Sequence, residues 1–374
     1  MNPSQETCLN QLCKTYGRWG GAFSETNQRD EHSFYLLGGI YFLCTVIKKH
    51  RAFHTYVGSF LEGKELKKVL AILLAIMLLG LFTGCQQQAV QTPAEQPAAD
   101  TKIVVTDLKG QEITLDKVPE RIVSLSPANT EILYAVGAGS QVVGVTSYCD
   151  YPAETANVEK IGTFDGPNME LIQKVKPDVV LAGGYIQEDL IASLQQLNIP
   201  VVSTEAADFG SIYSSIELIG KVSGHSDKAA EVIQGMKDRI SAVEGKLKDQ
   251  APKSVFYVVW TEPLTTAGKG TYINDVIKAA GGINTAEKVE GWAKYSAEEL
   301  VKDNPEYLLS SKHATNEGVT TDFYKQSPVF KQLDSVKNDK IYLMSDDNTI
   351  ARPGPRIVEA IEEMAKALHG DVIK

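Results

Sequence analysis

The residues that cross-link a chain or bind a metal are scarce in most of this sequence. Residues 85–374 contain two cysteines, Cys85 and Cys149, and three histidines, His225, His313 and His369. Two cysteines cannot build a disulfide framework, and the three histidines lack the spacing of metal ligands. We therefore expect no disulfide scaffold, no resident metal and no cofactor.

Positive charge and catalytic motifs are also lacking. Residues 85–374 carry 28 Lys and Arg against 41 Asp and Glu, a formal net charge of −13, which disfavours nucleic acid as a partner. GAGSQV (137–142) follows a helical pattern and lacks the third glycine of a dinucleotide fingerprint. TAGKGT (266–271) lacks the first glycine of a phosphate loop, and no Gly-x-Ser-x-Gly motif occurs. These absences predict a protein that is not an enzyme.

The apolar run from Val69 to Phe82 is too short to cross a membrane. Its 14 residues make a helix of about 21 Å, whereas a hydrocarbon core is about 30 Å thick. Two lysines precede the run, and Phe82-Thr83-Gly84-Cys85 ends it. This pattern is typical of a secretory signal, so residues 66–84 are interpreted as a signal peptide. A buried core helix with an incidental cysteine is the alternative.

The end of the run resembles a bacterial lipobox, except that Leu is usual where Phe82 stands. The resemblance implies that Cys85 is diacylated and becomes the first residue after cleavage. Residues 85–101 are rich in Gln, Ala and Pro and have nothing to bury, as expected of a flexible tether. Two acyl chains anchor a protein where one would not. The sequence thus predicts a lipoprotein on the outer face of the cell membrane.

Residues 1–65 precede this signal and show no sustained period. We interpret them as an upstream extension that results from a start codon assigned too early, with Leu66 as the true start. A cytoplasmic domain or a first membrane helix is the alternative. The segment is left out of the fold prediction.

The remaining chain repeats itself. EILYAVGAG (131–139) corresponds to DVIKAAGGI (275–283), and NMELIQKVKPDVVLA (168–182) corresponds to SAEELVKDNPEYLLS (296–310). In the second pair a capping residue opens a helix, a proline stops it nine residues later, and an apolar strand follows. Two matches in the same order predict two similar Rossmann-like α/β lobes.

One long helix connects the predicted lobes. Apolar residues recur in 226–249 at helical spacing and form a single stripe: Val232, Met236, Ile240, Val243 and Leu247. We therefore place a first lobe at 102–222, a linking helix at 223–250 and a second lobe at 251–374, with the ligand cleft between the lobes. Such a link predicts little hinge motion.

Aromatic residues stand at the strand and loop ends where α/β folds bind ligands. Phe164 and Trp292 each lie four residues before a helix cap, and Tyr148 and Trp260 each stand at the end of a strand. Packing under a loop explains any one of them, but four together favour a ligand-binding wall. Large rings on both lobes suit a broad, flat ligand. A corrinoid, a haem and a hydroxamate siderophore all meet that description.

Four segments carry a closer resemblance: RIVSLSPANTEILYAVGAGSQVVGVTSYCDYP (121–152), GTFDGPNMELIQKVKPDVVLA (162–182), TTAGKG (265–270) and ARPGPRI (351–357). Together they resemble the helix-linked (class III) substrate-binding proteins of ABC importers, and within that class the cobalamin-binding proteins. The resemblance covers essentially residues 102–374. It implies a monomer that captures cobalamin or a related corrinoid and delivers it to a permease dimer with its ATPase. An extracellular sensor or scavenger is the alternative of another class.

The resemblance also implies roles for particular residues. Tyr148 and Phe164 would contact the corrin from the first lobe, and Trp292 would face them from the second. Arg352 would contact polar groups of the ligand, with Asp346, Asp347 or Asn348 nearby. The family places a tryptophan two residues before Tyr185, where this chain has Gly183. Either Tyr185 would substitute for it, or the pocket would be wider and prefer a different corrinoid.

Two glutamates stand at equivalent places in the repeat. Glu170 and Glu298 each follow a helix cap by two residues. Acids in a first helical turn favour the helix dipole and need no partner. In the resembled family, however, acids at these positions dock onto arginines of the permease dimer, and the resemblance implies the same for this pair.

Overall fold

The computed structural model describes residues 102–163, 166–183, 188–204, 206–315 and 318–373. Phe164, Tyr185 and Cys85 lie outside these ranges, as do the predicted extension, signal peptide and tether. Within the described ranges no helix combines the length and the apolar character that crossing a bilayer requires.

The first lobe is built on a parallel sheet preceded by a β-hairpin. Asp107 closes the hairpin, because its Oδ1 accepts hydrogen bonds from the backbone N–H groups of Lys109 and Gln111. The hairpin strands are antiparallel, and the four strands of the sheet run in the order β4-β3-β5-β6. The elements are β1 (Ile103–Thr106), β2 (Glu112–Leu115), β3 (Ile122–Ser124), α1 (Pro127–Ala135), β4 (Val142–Val145), α2 (Met169–Lys174), β5 (Val179–Ala182), α3 (Glu188–Gln196), β6 (Val201–Ser203) and α4 (Phe209–Ser223).

The linking helix is α5 (Ser226–Leu247). Four members of its apolar stripe are buried, and Val232 is half-buried against the same core. One continuous apolar cluster includes Ile219 of the first lobe, Met236 of α5 and Met364 of the second lobe. The two lobes therefore share a hydrophobic core along α5.

The second lobe contains a mixed sheet. Its main path runs β10-β8-β7-β11-β12, with β7, β11 and β12 parallel, and β9 pairs with β7. The elements are β7 (Lys253–Thr261), β8 (Leu264–Ala267), α6 (Tyr272–Ala279), β9 (Gly282–Asn284), β10 (Trp292–Lys294), α7 (Ala297–Asp303), β11 (Tyr307–Ser310), α8 (Thr321–Gln326), α9 (Asp334–Lys337), β12 (Ile341–Leu343), α10 (Asp347–Ala351) and α11 (Ile357–His369).

The backbone repeats as the sequence does. Gly137 and Gly281 follow α1 and α6 with φ of 87° and 78°. Lys176 and Asn304 precede the two prolines that follow α2 and α7, with φ of 44° and 43°. Equivalent helices thus end in the same left-handed conformation. The predicted fold class, two α/β lobes joined by a long helix, is confirmed.

Candidate functional site

The candidate site is formed where strands of both sheets end. Parallel strands bring their carboxyl ends to one edge, and loops at that edge bind ligands in open α/β folds. In the first lobe Tyr148 lies three residues after β4. In the second lobe Trp260 lies at the end of β7, His313 follows β11, and Asp347 follows β12.

Arg352 joins the two lobes at this edge. Its Nη1 donates hydrogen bonds to Glu131 Oε1 at 3.0 Å and to Asp150 Oδ1 at 2.6 Å. Its Nη2 donates to the backbone oxygen of Tyr148 at 3.1 Å. The side chain is only 10% exposed. In this structure Arg352 therefore contacts first-lobe carboxylates, and its predicted contact with a ligand stays a prediction.

Arg356 reinforces this connection, and we name Glu131, Asp150, Asp346, Arg352 and Arg356 the interlobe clasp. Arg356 Nη2 donates to Asp346 Oδ2 at 2.5 Å, and its Nη1 lies 3.7 Å from Glu131 Oε1. Burial raises the pKa of the Glu131 carboxyl, although both guanidiniums oppose the shift. Burial disfavours the charged form of Arg352, but its hydrogen bonds to Asp150 and Glu131 raise the pKa of its guanidinium. The clasp is thus a charge-assisted contact in which Glu131 and both arginines are largely buried, while Asp150 and Asp346 reach solvent.

Three aromatic side chains near the site remain exposed to solvent: Tyr148, Tyr151 and Trp292. Tyr148 is 50% exposed and Trp292 is 43% exposed. Trp292 lies in the strand β10, not in the loop that the sequence predicts, because β10 pairs with β8. Its ring packs edge-on against Tyr272 with the centroids 5.5 Å apart. The Trp292 indole is therefore oriented by packing and still presents a face to solvent.

The strand register places both tryptophans of the second lobe on one face of its sheet. Trp292 pairs with Ala267 and Trp260 pairs with Thr265, both on β8. Paired residues, and residues two apart on a strand, point to the same face. Trp260 is half-buried, and its Nε1 donates to the backbone oxygen of Glu262 at 2.9 Å. The sheet thus carries a pair of indoles on a common face.

The Asp347 carboxylate already contacts the loop that follows β11. Its Oδ1 accepts a hydrogen bond from the backbone N–H of Lys312 at 3.0 Å, and its Oδ2 lies 2.5 Å from His313 Nδ1. The side chain is only 9% exposed. The neighbouring Asp346 caps α10 through the backbone N–H of Asn348. Asp347 therefore holds His313 at the strand edge in this structure, and its predicted role toward a ligand is untested.

Glu170 and Glu298 occupy equivalent first turns. The Asn168 side chain caps α2 and the Ser296 side chain caps α7. Both glutamates are exposed, and among the described residues neither forms an ion pair, whereas the adjacent Glu299 pairs with Lys288 at 3.5 Å. The two carboxylates are thus available at matching points on the two lobes.

Sequence reasoning missed Glu131, Asp150 and His313. Glu131 and Arg352 are 221 residues apart, so no local pattern relates them. The detectable signal was an acid within the apolar helical segment EILYAV, since a buried acid requires a cationic partner.

Comparison with known proteins identifies the class. The chain matches the family model described as Periplasmic binding protein over residues 122–348, and it belongs to that family. An uncharacterized ABC transporter substrate-binding lipoprotein, YvrC of Bacillus subtilis strain 168, is 34% identical over 314 residues. That alignment covers 81% of this chain and 97% of the relative.

Two solved structures support the same assignment. The periplasmic vitamin B12 binding protein BtuF of Vibrio cholerae matches with a TM-score of 0.58 and 26% identity, over 67% of this chain and 97% of that one. A possible iron-binding protein of Staphylococcus epidermidis ATCC 12228 matches with a TM-score of 0.61 and 30% identity, over 68% and 100%. The chain is therefore the substrate-binding component of an ABC importer. It binds a solute for a permease and is not an enzyme.

Proposed function

We propose that this protein is a lipid-anchored, extracytoplasmic binding protein that captures cobalamin or a related corrinoid. The observation that carries the proposal is the presence of half-exposed aromatic side chains at the strand ends of both lobes, Tyr148 on the first and Trp292 on the second. Exposed rings bind a broad ligand by excluding water from its apolar surface. The 26% identity to a vitamin B12 binding protein supports a corrinoid.

An iron chelate is the second candidate. The possible iron-binding protein of Staphylococcus epidermidis is 30% identical to this chain, slightly more than the vitamin B12 binding protein. A ferric siderophore or a haem has the same need for a wide, ring-lined site. The net charge of −13 disfavours haem, which carries two propionates, relative to a corrinoid or a neutral ferric hydroxamate.

Ligand binding is tested with purified residues 86–374, which contain the compact unit 95–374. The protein is incubated separately with cobalamin, cobinamide, haem and a ferric hydroxamate, desalted, and examined by visible spectroscopy. We expect the corrinoids to be retained. Retention of haem or iron colour without any corrinoid contradicts the assignment.

Variants then test the aromatic wall. Trp292→Ala and Tyr148→Ala are each expected to weaken corrinoid binding by about 5- to 150-fold, because each removes about 1–3 kcal/mol of apolar contact. Phe323→Ala is the matched control, since Phe323 is a similarly exposed ring on α8 and is not one of the predicted ligand contacts. Equal affinities for all three variants would place the ligand elsewhere.

The membrane anchor rests on Cys85. Fatty-acid labelling in cells is expected for the native chain and not for Cys85→Ser, which is expected to be released from the membrane fraction. Labelling of the serine variant would exclude the lipobox interpretation.

We further propose that Glu170 and Glu298 dock onto the permease. The double reversal Glu170→Lys with Glu298→Lys is expected to abolish uptake in cells while leaving ligand affinity unchanged. Glu154→Lys with Glu217→Lys is the control, because it alters two other exposed glutamates and changes the net charge equally. Uptake that survives the first pair contradicts docking. A chain that binds ligand but never supports uptake is a sensor or scavenger.

A further inference from the structure

The Arg352 guanidinium has a buried side and a solvent-facing side, and a carboxylate contacts each of them. Its Nη1 donates to Glu131 Oε1 at 3.0 Å and to Asp150 Oδ1 at 2.6 Å. The Glu131 side chain is 2% exposed, whereas the Asp150 side chain is 62% exposed. Asp150 therefore occupies the side of Arg352 that a solute reaches from solvent.

Asp150 belongs to the segment of the first lobe that carries a ring of the candidate site. The backbone oxygen of Tyr148 accepts a hydrogen bond from Arg352 Nη2 at 3.1 Å, so one guanidinium contacts both Tyr148 and Asp150 in the segment after β4. The Tyr148 side chain is half-exposed. The Asp150 carboxylate thus lies beside a predicted ligand-contacting ring, and both side chains reach solvent.

The second guanidinium of the interlobe clasp is also occupied. Arg356 Nη2 donates to Asp346 Oδ2 at 2.5 Å, and Arg356 Cζ lies 4.2 Å from the centroid of the Tyr151 ring. The Arg356 side chain is 13% exposed, whereas that of Asp346 is 42% exposed. At this edge both arginines are therefore covered, and the carboxylates of their partners are the exposed charges.

The interlobe clasp as a whole has no excess of positive charge. Its three carboxylates outnumber its two guanidiniums, and Asp150 and Asp346 are its exposed members. A ligand carboxylate would meet like charge here and would have to displace Asp150 to reach Arg352. A ligand amide meets no such repulsion, because its N–H group donates to a carboxylate oxygen.

We propose that Asp150 is a specificity-determining residue that selects ligands with amides at their edge over ligands with carboxylates. This inference rests on the proposed function and deepens it. Amide side chains at the edge of a corrinoid donate to Asp150, whereas carboxylates at the edge of a macrocycle are repelled. Selection of this kind depends on an unfavourable contact with the wrong ligand. Asp150 thus acts by keeping Arg352 from a ligand carboxylate.

The test compares two corrinoids whose ring edges differ in charge. Cobinamide carries amides where cobyrinic acid carries carboxyl groups, and both are used in the dicyano form, so that the axial ligands of the metal are the same. Their affinities for residues 86–374 are measured by equilibrium dialysis with visible absorbance, at neutral pH and low salt. We expect the native protein to prefer cobinamide by about 10-fold or more.

Substitution of Asp150 should narrow this preference. Asp150→Asn introduces a neutral amide, which does not repel a ligand carboxylate and competes less strongly for Arg352 Nη1. The ratio of the two affinities is therefore expected to fall by about 5-fold or more, through tighter binding of cobyrinic acid. Asp150→Glu keeps the charge and is expected to retain the native preference. A purely structural role for Asp150 would change both affinities together and leave their ratio unaltered.

Glu217→Gln is the matched control for net charge. Glu217 is an exposed glutamate of α4 that is not a member of the interlobe clasp, and its substitution changes the net charge by the same amount as Asp150→Asn. We expect Glu217→Gln to retain the native preference for cobinamide.

The outcomes separate this inference from the proposed function. A native protein that binds the corrinoids without preferring cobinamide overturns the inference and leaves the function standing. An unchanged ratio in Asp150→Asn, or an equal fall in Glu217→Gln, overturns the inference as well. Failure of the native protein to bind either corrinoid contradicts the proposed function, and the inference with it.

Discussion

Among single residues, Tyr324 shows how burial sets a protonation state. Its side chain is fully buried, its hydroxyl donates to Ser310 Oγ at 2.7 Å, and its ring packs against Phe330 with the centroids 4.9 Å apart. Burial raises the pKa of the Tyr324 phenol to about 12. The folded protein therefore keeps a proton that the unfolded chain loses near pH 10.

This difference predicts an alkaline loss of stability. Between pH 10 and 12 unfolding releases the Tyr324 proton, so the free energy of unfolding falls by up to about 1.4 kcal/mol per pH unit. Tyr324→Phe is expected to be about 1 kcal/mol less stable than the native protein at pH 8, because the hydrogen bond is lost. Urea denaturation of both proteins should therefore converge near pH 11. Parallel pH profiles would contradict the prediction.

Residues whose environment is local were predictable, and residues with distant partners were not. The caps Asn168 and Ser296 hydrogen-bond within their own first turns, so their spacing in the sequence was sufficient. Arg352 was predicted to contact ligand, and its carboxylate partners depend on how the two lobes pack. No local sequence pattern indicated that His313 has a carboxylate partner, because Asp347 is 34 residues away along the chain.

Among the elements, the ends of α1 and α6 provide an internal comparison. Both helices are followed by a glycine with positive φ, Gly137 and Gly281. A Cβ on Gly281 would lie 2.8 Å from His369 Nε2 and 3.0 Å from Leu247 Cδ1. At Gly137 the nearest contact would be His225 Nδ1 at 3.8 Å. The backbone strain is thus shared, while the steric conflict belongs to Gly281 alone.

Alanine substitutions should separate these two costs. Gly137→Ala is expected to lower the free energy of unfolding by about 1–2 kcal/mol, the cost of the left-handed conformation for a residue with a Cβ. Gly281→Ala is expected to cost about 1–3 kcal/mol more, because it also overpacks the core. Urea denaturation of the two variants measures the difference. A larger loss for Gly137→Ala would contradict this explanation.

Element prediction succeeded where a period was sustained. The 3.6-residue period of α5 identified its buried face, including Met236 and Leu247, because the helix is long enough for the stripe to be unambiguous. The short elements after β11, such as α9 and α10, gave no such period. α9 packs against β11 and α10 packs against α11, and a single sequence does not reveal such contacts.

At the scale of the whole molecule, the lobes are connected on more than one side. The apolar cluster along α5 continues from one lobe into the other. The Asp275 carboxylate of α6 accepts a hydrogen bond from the N–H of Phe209 at the start of α4, at 3.1 Å. Arg239 of α5 forms a bidentate pair with Glu362 of α11. With the interlobe clasp, these contacts favour a fixed lobe orientation over hinged lobes, and a single cooperative unfolding transition.

The buried members of the interlobe clasp should contribute more to stability than the exposed Asp150. Arg352→Met leaves Glu131 buried with only Arg356 nearby, at 3.7 Å, and is expected to cost about 3 kcal/mol of unfolding free energy. Asp150→Asn is expected to cost less than about 1 kcal/mol, because the Asp150 side chain is 62% exposed.

In a double-mutant cycle, Glu131→Gln with Arg352→Met is expected to cost at least about 1 kcal/mol less than the sum of the single changes, since removing both charges avoids an unpaired one. Urea denaturation of the four proteins measures this coupling energy. Strict additivity would mean that Glu131 and Arg352 do not depend on each other.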